Sequence, residues 1–304
     1  MTVSGASTIK RVRRTREQMA DLRSAIFALA RDSQPCSVRQ IYYLGVGTLW
    51  DKDSGGSRRN YNKVVRELGI MRETGMLPWD WITDATRYVR IATMYDSMDQ
   101  AIRRTAEEYR RDLWSMQPRR VEVWAESDSI SGVVDPVTRA LGVGLFSCRG
   151  QASKDFAHSA ATTYVAIRKP VTVLYVGDWD PSGLAIPRSL EERLTQYSGA
   201  AVPIDFRRCA LTLDDVRDGG LTQHDVNRDD KSYRRYAETC QELGLNPNLS
   251  TEVEALSPAV LRNRLETQIY ALVDDATRWN ATIAAEQQER NVLLTRALDA
   301  RGSA

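Results

Sequence analysis

Two hydrophobic periods divide the chain. From about Arg14 to Arg31, Met19, Leu22, Ile26, Phe27 and Leu29 recur at helical spacing and predict a helix with one apolar face. Pro35 stops it, and Ser37 is placed to cap a second helix from Val38 to about Gly45. The stretch Asp51-Lys-Asp-Ser-Gly-Gly-Ser57 has loop composition. A third helix is predicted from Tyr61 to Leu68, ended by Gly69. Three short helices followed by Met76-Leu-Pro-Trp-Asp-Trp-Ile82 suggest a winged-helix domain of the helix-turn-helix type over residues 14–94. Met98, Ile102, Ala106, Tyr109 and Leu113 then predict one long connecting helix within 95–118, ended by Pro118.

Beyond residue 118 the period changes. Val121–Ala125, Leu145–Cys148, Val171–Val176 and Ile204–Arg208 read as strands. Between them, Val133–Leu141, Phe156–Arg168 and Ser182–Leu194 read as helices. Val171–Val176 is almost continuously apolar, as a parallel strand covered on both faces should be. Strands alternating with helices predict a doubly wound α/β domain from 119 onward, with a mostly helical extension from Lys231 to residue 304.

Length, at 304 residues, fits about two domains and a sizeable core. Cys36, Cys148, Cys209 and Cys240 form no C-x-x-C pair, and the chain has only 2 histidines. A structural zinc site and a histidine-based triad are therefore not expected, and a reducing, cytoplasmic setting is. No apolar run predicts a membrane span or signal peptide. The net charge of +2 is less informative than its distribution. Residues 1–13 form a basic arm, expected to be disordered, and continue into Arg14 and Arg16. A second basic cluster comprises Arg58, Arg59, Lys63, Arg66 and Arg72. Both clusters are suited to DNA phosphates.

Candidate chemistry lies at two strand ends. Val121–Ala125 runs into Glu126, and Val171–Val176 runs into Gly177-Asp-Trp-Asp-Pro-Ser-Gly183. Sites in open α/β sheets form beyond the carboxyl ends of the strands, so Glu126, Asp178 and Asp180 are expected at one edge. Magnesium takes oxygen ligands and keeps several waters, so two or three carboxylates suffice to hold it.

These motifs carry a resemblance. Val121-Glu-Val-Trp-Ala-Glu126, Cys148-Arg-Gly-Gln-Ala-Ser153 and Gly177–Gly183 are similar to the Toprim fold of topoisomerases, bacterial primases and certain nucleases. More narrowly, the chain resembles the A subunit of topoisomerase VI and the related meiotic double-strand-break proteins, in the reduced, stand-alone forms of phages and mobile elements. Arg208-Cys-Ala-Leu-Thr-Leu-Asp-Asp-Val216 and Glu252-Val-Glu-Ala-Leu-Ser-Pro258 match the C-terminal segment of that family, and the similarity covers roughly residues 35–275. The chain departs from the pattern at Ser127, where the family usually has Lys, and across Gln223–Asp230.

The resemblance implies a Rossmann-like Toprim domain behind the winged helix, and magnesium-dependent DNA cleavage. Ser37-Val-Arg-Gln-Ile-Tyr-Tyr43 matches the segment carrying the family's nucleophile, which makes Tyr43 the attacking residue and Arg39 the cation that precedes it. On a helix these two share a face. Tyr61 is a second candidate. Tyr43 would attack a phosphodiester and stay joined to the 5′ end. Magnesium would sit at Glu126, Asp178 and Asp180, with Glu126 alternatively the acid at the leaving oxygen. Arg149 and Lys154 are candidate phosphate clamps. The family works as a homodimer on double-stranded DNA, the tyrosine of one subunit acting with the Toprim domain of the other. No G-x-x-x-x-G-K-[ST] motif occurs, so any ATP-driven step would need a separate ATPase subunit. Two alternatives remain open: a Toprim nuclease that uses water, and a non-catalytic DNA-binding accessory subunit.

Overall fold

A computed structural model describes residues 15–53, 57–83, 93–148 and 154–302. The first part is helical: α1 (Arg16–Ser33), a two-residue strand β1 (Cys36–Ser37), α2 (Val38–Leu44) and α3 (Arg59–Glu73). A single 3-10 turn over Trp79–Trp81 leads into β2 (Ile82–Thr83), which pairs parallel with β1. Thr15 and Ser37 close capping boxes with Gln18 and Gln40, so α1 and α2 start where side chains meet their first free N–H groups. Leu22, Ile26, Ile41, Val64, Leu68 and Met71 fill the core between these helices.

Helix α3 does not stop at Gly69. Met71, one turn beyond Leu68, is fully buried, and packing carries the helix on to Glu73. Gly75, at φ +72°, supplies the left-handed turn that ends it. The basic arm, Gly55 and the segment 84–92 where a wing would follow lie outside the described residues.

The long connecting helix is also shorter than expected. Helix α4 (Met98–Glu108) ends where Tyr109 turns extended, at ψ 128°. Leu113 and Trp114 are pulled into the core instead of continuing the helix, and Trp114 Nε1 donates to the Leu141 carbonyl at 2.9 Å. Lys169 Nζ ties the chain down through the carbonyls of Trp114, Ser115 and Gln117.

The second part alternates as the pattern predicts: β3 (Arg120–Ala125), α5 (Asp128–Ala140), β4 (Gly144–Ser147), α6 (Lys154–Ile167), β5 (Val171–Val176), α7 (Pro181–Tyr197) and β6 (Ile204–Ala210). The strands form one parallel sheet in the order β4-β3-β5-β6. Val121, Val123 and Ala125 face a core shared with α5, whereas Trp124 faces one shared with α6 and α7. This two-sided burial explains the continuous apolar run of β5. Then follow α8 (Leu213–Arg217), β7 (His224–Asp225), α9 (Tyr233–Glu242), β8 (Leu249–Ser250), α10 (Pro258–Tyr270) and α11 (Ala276–Gly302), with β7 and β8 antiparallel. Helix α10 lies over α5, and α11 runs beside α4, where Tyr109 donates to Glu289 at 2.6 Å. No described helix is long and apolar enough to cross a membrane.

The strand order reverses between β3 and β5, because β4 lies on one side of β3 and β5 on the other. Glu126 and Gly177 emerge at that switch point, where open α/β sheets form their ligand crevice.

Candidate active site

Glu126 and Asp178 are held together by backbone. The Asp178 N–H donates to Glu126 Oε2 at 2.9 Å, and the Tyr175 hydroxyl donates to the same oxygen at 3.2 Å. Gly177 is required between them, since a Cβ there would stand 2.4 Å from Glu126 Oε2. Asp180 caps α7 through the Gly183 N–H, and a Cβ on Gly183 would meet the Asp178 carbonyl at 2.3 Å. Arg208 threads beneath this turn. Its guanidinium donates to the carbonyls of Gly177 and Asp178, both at 3.0 Å, and to that of Gly183.

Among the described residues, the carboxylates grouped closely enough to share a metal differ from the set expected from sequence. Asp178, Glu252 and Glu254 offer carboxylate oxygens that all lie within 4.8 Å of one another. Asp180 instead spends one oxygen on its helix cap. Glu252 and Glu254 reach the site because their segment docks beside Trp179: Trp179 and Thr251 exchange backbone hydrogen bonds of 2.8 and 3.0 Å. The Val253 N–H then donates to Asp178 Oδ1 at 2.8 Å.

Charge is crowded here. Burial, and then the neighbouring carboxylates, push the Asp178 carboxyl well above its usual range. Burial is also the main cause that raises Asp180 and Glu254, and it lifts Glu126 to about 7. Glu252 is the exception. Burial opposes its charge, but Arg39 and Lys52 outweigh it and hold the carboxyl below the usual range. Glu254 has a side chain only 1% exposed; it ion-pairs with Arg39 Nε at 3.1 Å, yet neither of its oxygens accepts a well-formed hydrogen bond.

The N-terminal helices contribute directly. Arg39 also pairs with Glu252, and Lys52 Nζ lies 3.4 Å from Glu252 Oε1. Both cations lie over the Tyr43 ring: Arg39 is 5.6 Å and Lys52 5.4 Å from its centre. The expected face-sharing of Arg39 and Tyr43 on α2 is present. Tyr43 is 8% exposed, and burial followed by the Glu252 charge pushes its phenol above the ordinary range. Tyr42 also lines the cavity over Tyr43, but it stacks on Trp50 and its hydroxyl accepts the Asp53 N–H at 2.7 Å, so its oxygen is engaged. His224 lies 5.9 Å from the Tyr43 ring, and burial lowers its pKa to about 4, so it is neutral.

A cavity of about 370 Å³ opens over Tyr43, lined by Arg39, Lys52, Arg58 and Tyr61 among others. Of the basic cluster, only Arg58 reaches it. Arg59, Lys63 and Arg66 line a separate cleft with Asp51 and Asn60. Lys154 is exposed at the start of α6, and Arg149 lies outside the described residues.

Sequence reasoning missed Glu252, Glu254, Lys52, Arg208 and His224 as members of the site. The segments holding Arg208, Glu252 and Glu254 are among those that carry the resemblance, but nothing local marks those side chains as converging on Asp178. The donor set suits a hard divalent cation: three clustered carboxylates, with both oxygens of the buried Glu254 lacking a hydrogen bond. No family model and no curated protein matches the chain.

Proposed function

We propose that this protein is a magnesium-dependent DNA strand-cleaving transesterase, with the winged-helix and Toprim organisation of topoisomerase VI A-like proteins. One observation carries the proposal. Arg39 lies over the Tyr43 ring while paired to Glu252 and Glu254, so a tyrosine and a carboxylate cluster fit for a cation share one site.

In the reaction, a phosphodiester enters the cavity above Tyr43, where Arg39, Lys52 and Arg58 face its charge. Tyr43 Oη forms a bond to phosphorus, and the bond from phosphorus to the 3′ oxygen breaks. In net terms the phenolic proton passes to that 3′ oxygen, so nothing is oxidised and no further reactant is consumed. Asp178, Glu252 and Glu254, with Glu126 and Asp180 beside them, would hold magnesium. When bound, it supplies Lewis-acid stabilisation of charge at the phosphoryl and leaving oxygens. Glu126, raised to about 7, is partly protonated near neutral pH and in that form can donate the proton to the leaving oxygen. Double-stranded DNA as substrate, a homodimer that cuts both strands, and a separate ATPase subunit for any strand passage complete the proposal.

A water-using nuclease is the second reading, favoured by the burial that keeps the Tyr43 phenol protonated. Capture of plasmid DNA separates the two. Wild type and Tyr42→Phe should yield a covalent protein–DNA adduct with Mg2+, and Tyr43→Phe should not. Loss of one hydroxyl should change stability by no more than about 1–2 kcal/mol. Cleavage by Tyr43→Phe at the wild-type rate would make water the nucleophile.

A further inference from the structure

A cleft of about 280 Å³ lies between α7 and α9. Its cations are Arg188, half-buried on α7, and Lys231 and Arg235, exposed at the start of α9. Among the described residues, none of the three makes a hydrogen bond or an ion pair. Their neighbour Arg234, by contrast, pairs with Glu238 at 3.1 Å. Ser189 and Ser232 add hydroxyls to the cleft, and Glu192 is the one carboxylate in its lining. The two walls are fixed to each other. Asp230 accepts the Ser182 hydroxyl at 2.9 Å and the Ser232 N–H at 2.7 Å, which ties the start of α7 to the start of α9. The backbone of the cleft is therefore preformed and needs no ordering to receive a ligand. Three cations lining one small cleft repel one another, and an anion between them relieves that repulsion.

The fold sets where that anion would lie. Pro181 and Leu184, in the cleft wall, belong to the first turn of α7, directly after the turn that carries Asp178 and Asp180. At a rise of about 1.5 Å per residue, Arg188 stands about 12 Å along α7 from Asp180. Phosphates of one strand advance about 3.4 Å each along a duplex, so this is the reach of about three to four nucleotides. We propose that the cleft between α7 and α9 is a second DNA site, which takes one backbone phosphate of the strand flanking the scissile bond. The proposal rests on the DNA-cleaving reading and extends it beyond Tyr43 and the basic cluster on α3. A free phosphate fits less well. Glu192 weakens a site for a lone anion, whereas a strand already held at Tyr43 presents its next phosphates at high effective concentration. The contact is to backbone and carries no sequence preference. Charge patterning does not reveal the site, because its cations come from two separate segments of the chain.

Lys231 is a reporter that needs no cleavage. Wild type is treated with an acetylating ester in the absence of Mg2+, alone, with linear duplex DNA, or with inorganic phosphate, and acetylation of Lys231 is followed by mass spectrometry. DNA should slow that acetylation severalfold, and inorganic phosphate should not. In parallel, Arg188→Gln combined with Lys231→Gln and Arg235→Gln should lower the log–log salt slope of DNA binding by about 0.9, the share of one phosphate, with an unchanged melting temperature. Protection by inorganic phosphate equal to that by DNA would assign the cleft to a small anion and overturn the proposal. A Lys231 equally reactive with and without DNA, or an unchanged slope, also overturns it. If Lys231 is protected and the slope falls, but wild type forms no covalent adduct with Mg2+, the transesterase reading fails and the DNA site stands. If the adduct forms while Lys231 stays reactive, the cleft alone is refuted.

Discussion

Two glutamates stand at β3, Glu122 buried within it and Glu126 half-buried just past its end, and their surroundings are opposite. Glu122 is 0% exposed and fully supplied with donors: Arg120 Nε at 2.6 Å, Trp124 Nε1 at 3.1 Å and the Tyr164 hydroxyl. Glu126, at the strand end, faces Asp178 and its neighbouring carboxylates, and its pKa rises to about 7. Glu67 in the helical part belongs with Glu122. Burial works against its charge, but Arg66 and Arg23, at 2.6 and 2.8 Å, prevail and hold its pKa down. Glu122 and Glu67 are buried and Glu126 is half-buried, so burial alone does not sort them. What separates a structural acid from a candidate ligand is the balance of donors to carboxylates around it.

The largest effects should come from breaking each side of that contrast. Asp178→Ala should keep the fold and lose Mg2+-dependent DNA cleavage, by at least about a hundredfold, since a metal ligand is worth several kcal/mol in the transition state. Glu122→Ala should do the reverse and destabilise the fold. It leaves the Trp124 N–H and Tyr164 hydroxyl buried and unpaired, at about 1–3 kcal/mol each, measurable by urea denaturation. Normal cleavage by Asp178→Ala, or an unchanged unfolding midpoint for Glu122→Ala, would erase the distinction.

A pH series sharpens it. The folded Glu126 carboxyl has a pKa of about 7 against an ordinary 4.5. Below 4.5 the group is protonated in both states and costs nothing. Between 4.5 and 7 the unfolded chain ionises first, so stability falls as pH rises, and the loss is complete above 7. Asp178 and Glu254 are raised and act in the same direction. Glu67 and Asp215 are lowered, so their contribution is lost only in acid, below this window. His224, lowered from 6.5 to about 4, works against Glu126 inside the window, because the unfolded chain takes up its proton first, so the net fall rests on Asp178 and Glu254. The metal-free protein should therefore melt lower at about pH 8 than at about pH 5, and Mg2+ should raise Tm more at the higher pH. An equal Mg2+ effect at both would argue against a charged cluster as the binding site.

Much of this contrast was legible beforehand. The alternation of strands and helices, the switch-point position of Glu126, and the glycines flanking Asp178 and Asp180 follow from local pattern. Glu252 and Glu254 do not. They come from a segment 75 residues beyond Asp178, on a single 3-10 turn whose docking depends on Trp179 and Thr251. Lys52 sits in a polar loop with no periodicity to orient it. The ends of α3 and α4 were misplaced for a related reason: burial of Met71 prolongs one helix and insertion of Trp114 shortens the other, both tertiary effects. Similarly, charge alone grouped Arg58 with Arg59 and Lys63, although only Arg58 faces Tyr43.

The smallest expected effect concerns that basic cluster. Arg58→Ala with Arg59→Ala should weaken DNA binding and flatten its salt dependence by about 0.9 in log–log slope for each phosphate no longer neutralised. Little sequence preference is expected, because backbone contacts carry no base information. An unchanged slope would remove this face from the DNA path.

The most direct test of the account is to locate the DNA on the protein. Wild type trapped on plasmid with Mg2+ is digested with nuclease and trypsin, and the modified peptide is fragmented in the mass spectrometer. The expected peptide runs from Gln40 to Lys52 and contains both Tyr42 and Tyr43. The account predicts a nucleotide phosphate on Tyr43. A nucleotide on Tyr42 or Tyr61, or DNA that is cut with no residue modified, would contradict it.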